Sequence, residues 1–425
     1  MRRGCVLLQM SLMTQFSLPV SLPVRGADGL AKRAPYGGVE RQRLSSQSVK
    51  AHLRNATGLQ GSMADLAREL DTELSVRSAL IGPRMIATEL TARGLPEDKA
   101  NLWSDAVMAL FQSGKEKAPA KTAKKSKKAS ADDSDAEIDE GDKADTETAS
   151  SSTAGRQVLT LGQKEIAALV AVAEALHNAK IEPASMRELV EKPTKRKNCP
   201  KEVQDTLSAL DAMRSHAGLD GALFGRMATG IALSRVDSAV HVGHALTTHA
   251  IQSTVDFFSA QDQLLDREAG EAGGAHIGSR ELTTGIFYLP IVIDVDQVHK
   301  NFAGWTNKEI AKVVGWLVKT VATFTPAAML GSTAPFPDPG EVIVEITNAQ
   351  PVNAMGAFEK PAAPTLEASV AAFEHHMQRV WSVVGRPSRL MRLSEFIDPQ
   401  AGKPAVHGLA EAVAHAVEAG KPSSE

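Results

Sequence analysis

The chain has 425 residues, of which 43% are hydrophobic, and its formal net charge of −3 is close to neutral. This length allows two or three domains, or one large domain with insertions, and the small net charge excludes a protein that attracts nucleic acid over its whole surface. Two cysteines, Cys5 and Cys199, are too few for a disulfide framework or a cysteine zinc site, which favours a reducing cytoplasm.

No apolar run approaches the roughly 20 residues that a membrane-spanning helix needs, so no membrane association is predicted. Residues 1–8 weakly imitate a signal peptide, but their apolar core is short and no small-x-small cleavage site follows. Met13 is an alternative start of the chain.

The first predicted elements lie between residues 16 and 55. Alternating apolar residues over 16–24 predict a strand, and its two prolines indicate an edge position or a bulge. A glycine-containing loop covers 25–38, and 41–44 form a short extended stretch. Ser45 or Ser46 is expected to cap a helix that runs to about residue 55, because a serine hydroxyl accepts the free amides of a first turn.

Apolar residues recur at helical spacing over residues 60–113, and again over 161–179 and 201–216. The segment 115–156 has no such period: a block of lysines is followed by a block of acidic residues, with almost no large apolar side chain. Burial cannot offset the entropy of ordering such a segment, so we expect a disordered insertion.

The second half of the chain alternates strand and helix patterns. Strands are expected at 221–227, 285–294 and 341–347, and helices at 236–251, 308–324, 366–383 and from 402 onward; the segment between 257 and 284 is polar and rich in glycine. Strands separated by helices and long insertions predict an α+β fold, with helices on one face of an antiparallel sheet.

Positive charge concentrates in residues 25–54, which contain seven lysines and arginines against two acidic residues. Lys50 and Arg54 are four residues apart and project from one helical face, whereas Arg41 and Arg43 are two apart on a strand and also share a face. Ser45, Ser46 and Gln47 lie at a helix start, where free amides favour an anion. RNA contact and an ordinary capped surface helix both remain open from these residues alone.

Three histidines, His241, His244 and His249, fall within the helix predicted over 236–251. Their helical directions spread over roughly 140°, and no cysteine or carboxylate completes a ligand set, so neither a metal site nor a cofactor is predicted. The sequence also lacks a Gly-x-Ser-x-Gly, a phosphate-binding Gly-rich loop with lysine and a His-Glu-x-x-His motif. Aromatic residues make up only 4%, which disfavours a module that stacks RNA bases on aromatic side chains.

Two distant segments resemble one known family. They are Gly37-Gly38 running through Ser45-Ser46-Gln47 to Lys50, and Gly225-Arg226-Met227 followed by residues 236–249. Together they resemble the backbone subunit of the type I-E CRISPR surveillance complex Cascade, which is the CasC family of the RAMP superfamily. Val39 and Glu40 stand where members are more basic. The preceding loop keeps Arg25 and Lys32 but lacks the family's asparagine and two aspartates.

The resemblance implies a ferredoxin-like (RRM-like) palm made of residues 14–57 and 219–425. It also implies a helical fingers domain inserted over 58–218 and a thumb hairpin over 253–283. The thumb would wedge between bases, with Ile277 or Leu282 as the wedge. The implied RNA-binding residues are Arg25, Lys32, Arg41, Arg43, Ser45, Ser46, Gln47, Lys50, Arg54, Arg226, Met227 and His276.

By this resemblance the protein is a non-catalytic coat of the CRISPR guide RNA, which holds phosphates and 2′-hydroxyls and leaves the bases free for pairing. Its partners would be the guide RNA, target DNA through the guide, other copies of itself in a head-to-tail filament, and other Cascade subunits. The alternative is a metal-dependent endoribonuclease. Relatives in other CRISPR types cut RNA with an aspartate in the loop after the first strand, and Asp28 occupies the comparable loop.

Overall fold

The computed structural model describes residues 6–22, 26, 30–56, 61–111, 158–212, 217–226, 230, 235–261, 274–302, 304–323, 328, 330–334, 336, 338–398, 400 and 402–419. The predicted disordered insertion at 115–156 lies outside these residues. The chain divides into two compact units. The first unit contains residues 1–73, 222–225 and 237–425, and the second contains 74–221 and 226–236.

The described strands are β1 (Leu7–Val20), β2 (Arg33–Tyr36), β3 (Val39–Leu44), β4 (Ser75–Ser78), β5 (Leu159–Gly162), β6 (Val240–Val242), β7 (Ala245–Thr247), β8 (Ser253–Gln261), β9 (Gly274–Asp294), β10 (Asp338–Thr347) and β11 (Arg389–Arg392). The described α-helices are α1 (Ser46–Arg54), α2 (Met63–Glu69), α3 (Ala87–Ala92), α4 (Glu97–Ala109), α5 (Gln163–Asn178), α6 (Met186–Glu191), α7 (Lys201–Ala212), α8 (Gly218–Phe224), α9 (Val295–Asn301), α10 (Asn307–Ala322), α11 (Leu330–Thr333), α12 (Leu366–Val384) and α13 (Ala405–Ala419).

The first unit is built on one antiparallel sheet with the strand order β11-β10-β1-β9-β7-β3-β2. β6 and β8 pair with other stretches of the long strand β9. The mixed α/β fold with an antiparallel sheet that the sequence predicted is confirmed. This strand order explains why segments that are far apart in the sequence meet. β7 pairs with both β3 and β9, and α1 follows β3 directly.

β1 lies inside the sheet between β10 and β9, and both faces of its residues 8–14 are buried. Leu8, Met10 and Leu12 are inaccessible on one face, and Met13 is inaccessible on the other. On the Met13 face, a cluster of buried side chains joins the sheet to α12 and to the 3-10 helix Ala354–Phe358. The expectation that helices cover only one face is therefore wrong for this strand. A near-continuous apolar run, as in residues 6–13, is typical of strands covered on both sides.

Three predicted elements differ from the structure. The first strand begins at Leu7 and not at residue 16, so the sheet extends before the palm boundary predicted at residue 14. Residues 221–224 form the end of α8 and not a strand, Arg226 makes an isolated β-bridge with Val236, and residue 227 lies outside the described residues. Residues 236–251 form β6 and β7 and not a helix, because Val240 and Val242 pair with β9 more than 40 residues further along the chain.

The second unit is mainly helical and has its own core. Side chains from α3, α4, α5, α6 and α7 pack around Trp103, Leu169 and Leu207, and β4 pairs with β5 beside them. The structure places the first boundary of this unit between residues 73 and 74, whereas the sequence placed it at 58. α2, which the sequence assigned to the fingers, therefore belongs to the first unit.

Candidate nucleic-acid interface

The basic segment of the first unit is organised by β3 and α1. β3 pairs with β7, with Arg43 opposite Leu246, and α1 follows β3 directly. Ser45 is the N-cap of α1, and its Oγ accepts the backbone N–H of Ser48 at 3.3 Å, which confirms the predicted cap. Val49 and Leu53 are buried on the inner face of α1.

The first turn of α1 is partly occupied by protein groups. The N–H of Ser46 donates to Nδ1 of His244 at 3.2 Å, and Ser48 is held by Ser45. Ser45 itself is buried, whereas Gln47 is exposed. Of the three polar residues that the sequence singled out at this turn, the two serines therefore have structural roles. Sequence reasoning missed His244 because it placed this histidine on a helix.

Lys50 and Arg54 form the clearest pair of cations on α1. Both side chains are half-buried, and the Arg54 guanidinium carbon lies 5.6 Å from the centre of the Phe224 ring. Burial of the ammonium lowers the pKa of Lys50, and the charge of Arg54 lowers it further. Two neighbouring cations that each oppose the other's charge are stabilised when an anion binds between them.

Lys32 and Arg43 are two further cations of the basic segment. The backbone N–H of Arg43 donates to the carbonyl of Lys32 at 2.9 Å, and both side chains are half-buried. Arg33 has a different role: its guanidinium binds the buried Glu281 carboxylate at 2.8 Å, and this hydrogen bond raises the pKa of Arg33. Glu281 also accepts the N–H of Ala31 at 2.5 Å, which joins the loop to the base of the β8–β9 hairpin.

Arg41 does not lie on the surface, and the expectation that it binds RNA needs correction. Its side chain is inaccessible, and its guanidinium donates to the carbonyls of Tyr36 at 3.2 Å, Thr247 at 3.0 Å and Phe358 at 2.7 Å. Burial lowers the pKa of Arg41. A guanidinium that saturates three backbone carbonyls in the interior joins β2, β7 and the 3-10 helix, and it has no access to a phosphate.

The Gly37-Gly38 pair forms the turn between β2 and β3. Gly37 has a φ of +62°, and a Cβ at this position would lie 1.7 Å from the carbonyl oxygen of Glu359. The turn therefore packs against the backbone that follows the 3-10 helix, and glycine is required there by contact as well as by conformation. The glycine pair that opens the first motif thus serves the packing of the first unit.

Arg226 is also buried, and its predicted contact with RNA needs the same correction. Its guanidinium binds Glu165 in a bidentate pair at 2.6 and 2.8 Å, with 3% and 9% of the two side chains exposed. It also donates to the carbonyl of Thr160 at 2.9 Å and lies 5.5 Å from the centre of the Phe111 ring. Arg226 therefore stabilises the second unit, and its position on a central palm strand is not observed.

Several predicted site residues fall outside what the structure describes. Arg25, Met227 and Asp28 lie outside the described residues. His276 lies in β9 opposite Ala260, and only its backbone is described. The predicted RNA contacts of these residues stay predictions.

A β-hairpin occupies the segment that the sequence assigned to the thumb. β8 pairs with the first part of β9, from Ser253 opposite Thr283 to Gln261 opposite Gly274. Val255 and Phe257, two residues apart on β8, are 60% and 69% exposed. Of the two wedge residues that the sequence proposed, Leu282 is half-buried, and the side chain of Ile277 lies outside the described side chains. The sequence reasoning placed the wedge at Ile277 or Leu282, on the returning strand of the thumb, and therefore did not single out this exposed pair.

His249 is a satisfied core histidine. It is buried, its Nε2 accepts the N–H of Ile286 at 3.0 Å, and its Nδ1 donates to the carbonyl of Ala250 at 2.7 Å. Gly285 allows this close approach, because a Cβ there would lie 2.4 Å from Nε2. Burial lowers the pKa of His249, and the charge of Arg41 lowers it further.

These contacts predict a loss of stability in mild acid. The folded state favours neutral His249, so its contribution is present above about pH 6.5, the usual value of an unfolded histidine, and falls as the pH drops toward the lower folded pKa. We expect the free energy of unfolding of the native chain to decrease between pH 7 and pH 5 more than that of the His249→Gln variant. Denaturant unfolding at both pH values measures the difference, and parallel pH curves would contradict the assignment.

The described residues contain neither a metal-binding cluster nor a membrane-spanning helix. No group of three or more histidine, cysteine, aspartate or glutamate side chains in the described ranges is arranged to hold a metal ion. Within the same ranges, no helix has the length and apolarity needed to cross a bilayer.

A family model described as "CT1975-like protein" matches residues 10–412. The chain belongs to this family. None of the curated proteins matches it.

The CT1975-like chain also shares its fold with solved structures. One is a chain of the "CRISPR RNA-guided surveillance complex, pre-nicking", with 21% identity and a TM-score of 0.63 over 97% of this chain and 100% of that chain. Another is a chain of a "CRISPR RNA-guided surveillance complex", with 20% identity and a TM-score of 0.56 over 96% and 99%. At this identity the similarity shows a common fold along nearly the whole length of the CT1975-like chain.

Proposed function

We propose that this chain is a non-catalytic RNA-binding backbone subunit of a CRISPR surveillance complex, comparable to the CasC subunit of type I-E systems. Membership of the CT1975-like family and the shared fold with chains of CRISPR RNA-guided complexes support this proposal. Copies would polymerise head to tail along the guide RNA in the cytoplasm, beside other subunits, and present its bases for pairing with target DNA.

One observation carries the RNA-binding part of the proposal. Lys50 is half-buried, Arg54 opposes its charge, and no acidic group among the described residues stabilises it. A bound phosphate would offset both the cost of burying the Lys50 ammonium and the repulsion between the two cations. Arg43 lies on β3, which leads directly into α1, and its N–H donates to the carbonyl of Lys32, so the RNA backbone would follow β3 and α1.

The wider architecture fits the same role. The antiparallel sheet of the first unit would be a ferredoxin-like palm, the helical second unit would be the fingers, and the β8–β9 hairpin would be the thumb. Val255 and Phe257 give the hairpin an exposed apolar face. An apolar wedge of this kind can unstack bases, as in other nucleic-acid-binding proteins.

The interface can be tested by replacing Lys50 and Arg54 with methionine, which removes both charges and keeps apolar side chains. Without these two phosphate contacts, we expect the affinity for a single-stranded guide RNA to fall at least about tenfold at low salt, and the slope of log K against log salt to flatten by about 1.4. Fluorescence anisotropy over a salt series, with the full chain, measures both quantities.

The matched control replaces two exposed lysines of the same unit, Lys300 and Lys308, with methionine. This control changes the net charge equally, and we expect it to shift affinity less and leave the salt slope near the native value. Co-expression with a guide RNA and partner genes provides the second test. An RNA of one length with a fixed number of nucleotides per copy supports a coat. Metal-dependent trimming of that RNA, lost in Asp28→Ala, would instead establish the endoribonuclease alternative.

A further inference from the structure

A buried carboxylate joins the basic loop before β2 to the base of the β8–β9 hairpin. Glu281, on β9, is only 3% exposed. Its Oε2 accepts the backbone N–H of Ala31 at 2.5 Å, and its Oε1 accepts the Arg33 guanidinium at 2.8 Å. The side chain of Ser253, the first residue of β8, also donates a hydrogen bond to this carboxylate. One side chain therefore holds the loop and both strands of the hairpin together.

Lys32 lies between the two loop residues that Glu281 holds. Its carbonyl accepts the N–H of Arg43 at 2.9 Å, so residues 31–33 are each fixed by a hydrogen bond to β3 or β9. The side chain of Lys32 is half-buried and belongs to the RNA interface proposed above. A cation whose backbone is held on both sides loses less conformational freedom when it binds a phosphate, which strengthens the contact.

The hairpin face that carries Glu281 is also the face that presents the exposed apolar pair. Val255 is directly opposite Glu281 in the β8–β9 ladder, and Phe257 is two residues further along β8. Side chains that are directly opposite each other, or two residues apart on one strand, lie on the same face of an antiparallel pair. The loop that carries Lys32 therefore docks on the face from which Val255 and Phe257 project.

The contacts of Glu281 explain why this position has a carboxylate. A negative charge beside a phosphate-binding surface opposes RNA, and burial alone would raise the pKa of Glu281. The hydrogen bonds from Ala31, Arg33 and Ser253 outweigh burial and lower the pKa of Glu281 below its usual value. A glutamine has one terminal oxygen and one terminal NH₂ group, so it would accept from either Ala31 or Arg33 and oppose the other donor.

We propose that Glu281 is a positioning residue for RNA binding, which sets Lys32 and the apolar face of the β8–β9 hairpin in one arrangement. A phosphate bound at Lys32 and a base met by Phe257 would then belong to one stretch of the same RNA. This inference rests on the proposed function. Glu281 itself touches no RNA, and its effect passes through the two contacts that it positions.

The sign of the effect on RNA affinity tests this role first. Glu281→Gln removes a negative charge, which by charge alone strengthens RNA binding. We expect the affinity of the full chain for a single-stranded guide RNA to fall instead by about fivefold, measured by fluorescence anisotropy. The matched control is Glu40→Gln, which removes a 60% exposed carboxylate that pairs with Arg33 at 3.4 Å. We expect this control to bind RNA as well as the native chain or slightly better.

Double-mutant cycles then separate positioning from a general loss of structure. In a Lys32→Met chain, Glu281→Gln should cost only about twofold in affinity, because one of the contacts that Glu281 positions is already absent. In a Lys50→Met chain the cost should stay at about fivefold, because Lys50 lies on α1, which is capped by its own Ser45. Loss of folded protein would lower the affinity equally in both chains.

The hairpin is tested by the same comparison. In a Phe257→Ala chain, Glu281→Gln should again cost only about twofold, and in a chain with both Lys32→Met and Phe257→Ala it should cost nothing measurable. Glu281→Asp is the second variant, because it keeps the charge and withdraws the carboxylate by one methylene. We expect the same pattern of losses from it. Denaturant unfolding of each variant identifies any chain that is not folded under the assay conditions.

Two outcomes would overturn the role of Glu281. One is native or tighter RNA binding by both Glu281→Gln and Glu281→Asp, and the other is an equal loss in the Lys32→Met, Phe257→Ala and Lys50→Met chains. Failure of the proposed function looks different, because the native chain would then bind no guide RNA even at low salt, and the role of Glu281 would be lost with it.

Discussion

Replacement of Arg41 by alanine is expected to lower the free energy of unfolding of the first unit by about 3–5 kcal/mol. The buried carbonyls of Thr247 and Phe358 and the partly buried carbonyl of Tyr36 would lose their donor, and each unsatisfied buried group costs about 1–3 kcal/mol. Arg41→Lys should recover little of this loss, because one ammonium on a flexible stem cannot reproduce the fork of a guanidinium. Amide hydrogen exchange measures the effect as lost protection in β3, β7 and residues 354–358.

Arg43→Ala is the matched control, since Arg43 lies two residues further along β3 and is only half-buried. We expect this variant to keep native protection in the first unit and to weaken RNA binding. Peptides from α5 report on the second unit and should keep their protection in Arg41→Ala. If Arg41→Ala folds with native protection and binds RNA poorly, the structural role assigned to Arg41 is wrong.

The elements that the sequence predicted well are those whose signals are local. Ser45 caps α1 because a serine hydroxyl satisfies a first-turn amide, and this chemistry needs only neighbouring residues. α10 and α12 were predicted within one or two residues, because each carries an apolar stripe at helical spacing. β10 was predicted from its run of β-branched residues, Val342-Ile343-Val344 and Ile346, although the strand begins at Asp338 and not at residue 341.

The elements that were predicted wrongly depend on distant partners. Residues 236–251 are small and apolar, which fits a buried helix as well as two short strands. The choice is made by β9, which pairs with Val240 and Leu246 from more than 40 residues away. Local composition contains no trace of that partner, and propensity is routinely overridden by tertiary pairing.

The candidate site shows the same limit at the level of single side chains. Arg41 and Arg43 have the same residue type and the same strand parity, so the sequence gives them one role. Their environments differ, because the Arg41 guanidinium is buried against carbonyls that lie 206 and 317 residues away in the chain, whereas Arg43 is half-buried. Lys50 and Arg54 could be predicted as a pair, since their spacing alone places them on one helical face.

Arg226 leads to the second large prediction, which concerns the second unit. Glu165→Leu is expected to lower the free energy of unfolding of this unit by about 3–5 kcal/mol, because it leaves the buried Arg226 guanidinium without a counter-charge. Hydrogen exchange should show the loss in α5 and β5, where Glu165 also accepts the N–H of Gly162. Arg226→Met alone is expected to destabilise the same peptides.

The double variant Glu165→Leu with Arg226→Met separates stability from RNA binding. Replacement of a buried ion pair by apolar side chains of similar size is often neutral, so we expect the double variant to recover most of the protection that each single variant loses. A buried Arg226 that only stabilises its unit predicts native RNA affinity and a native salt slope for the double variant. A folded double variant whose affinity and salt slope both fall would instead return Arg226 to the RNA interface and require the ion pair with Glu165 to open when RNA binds.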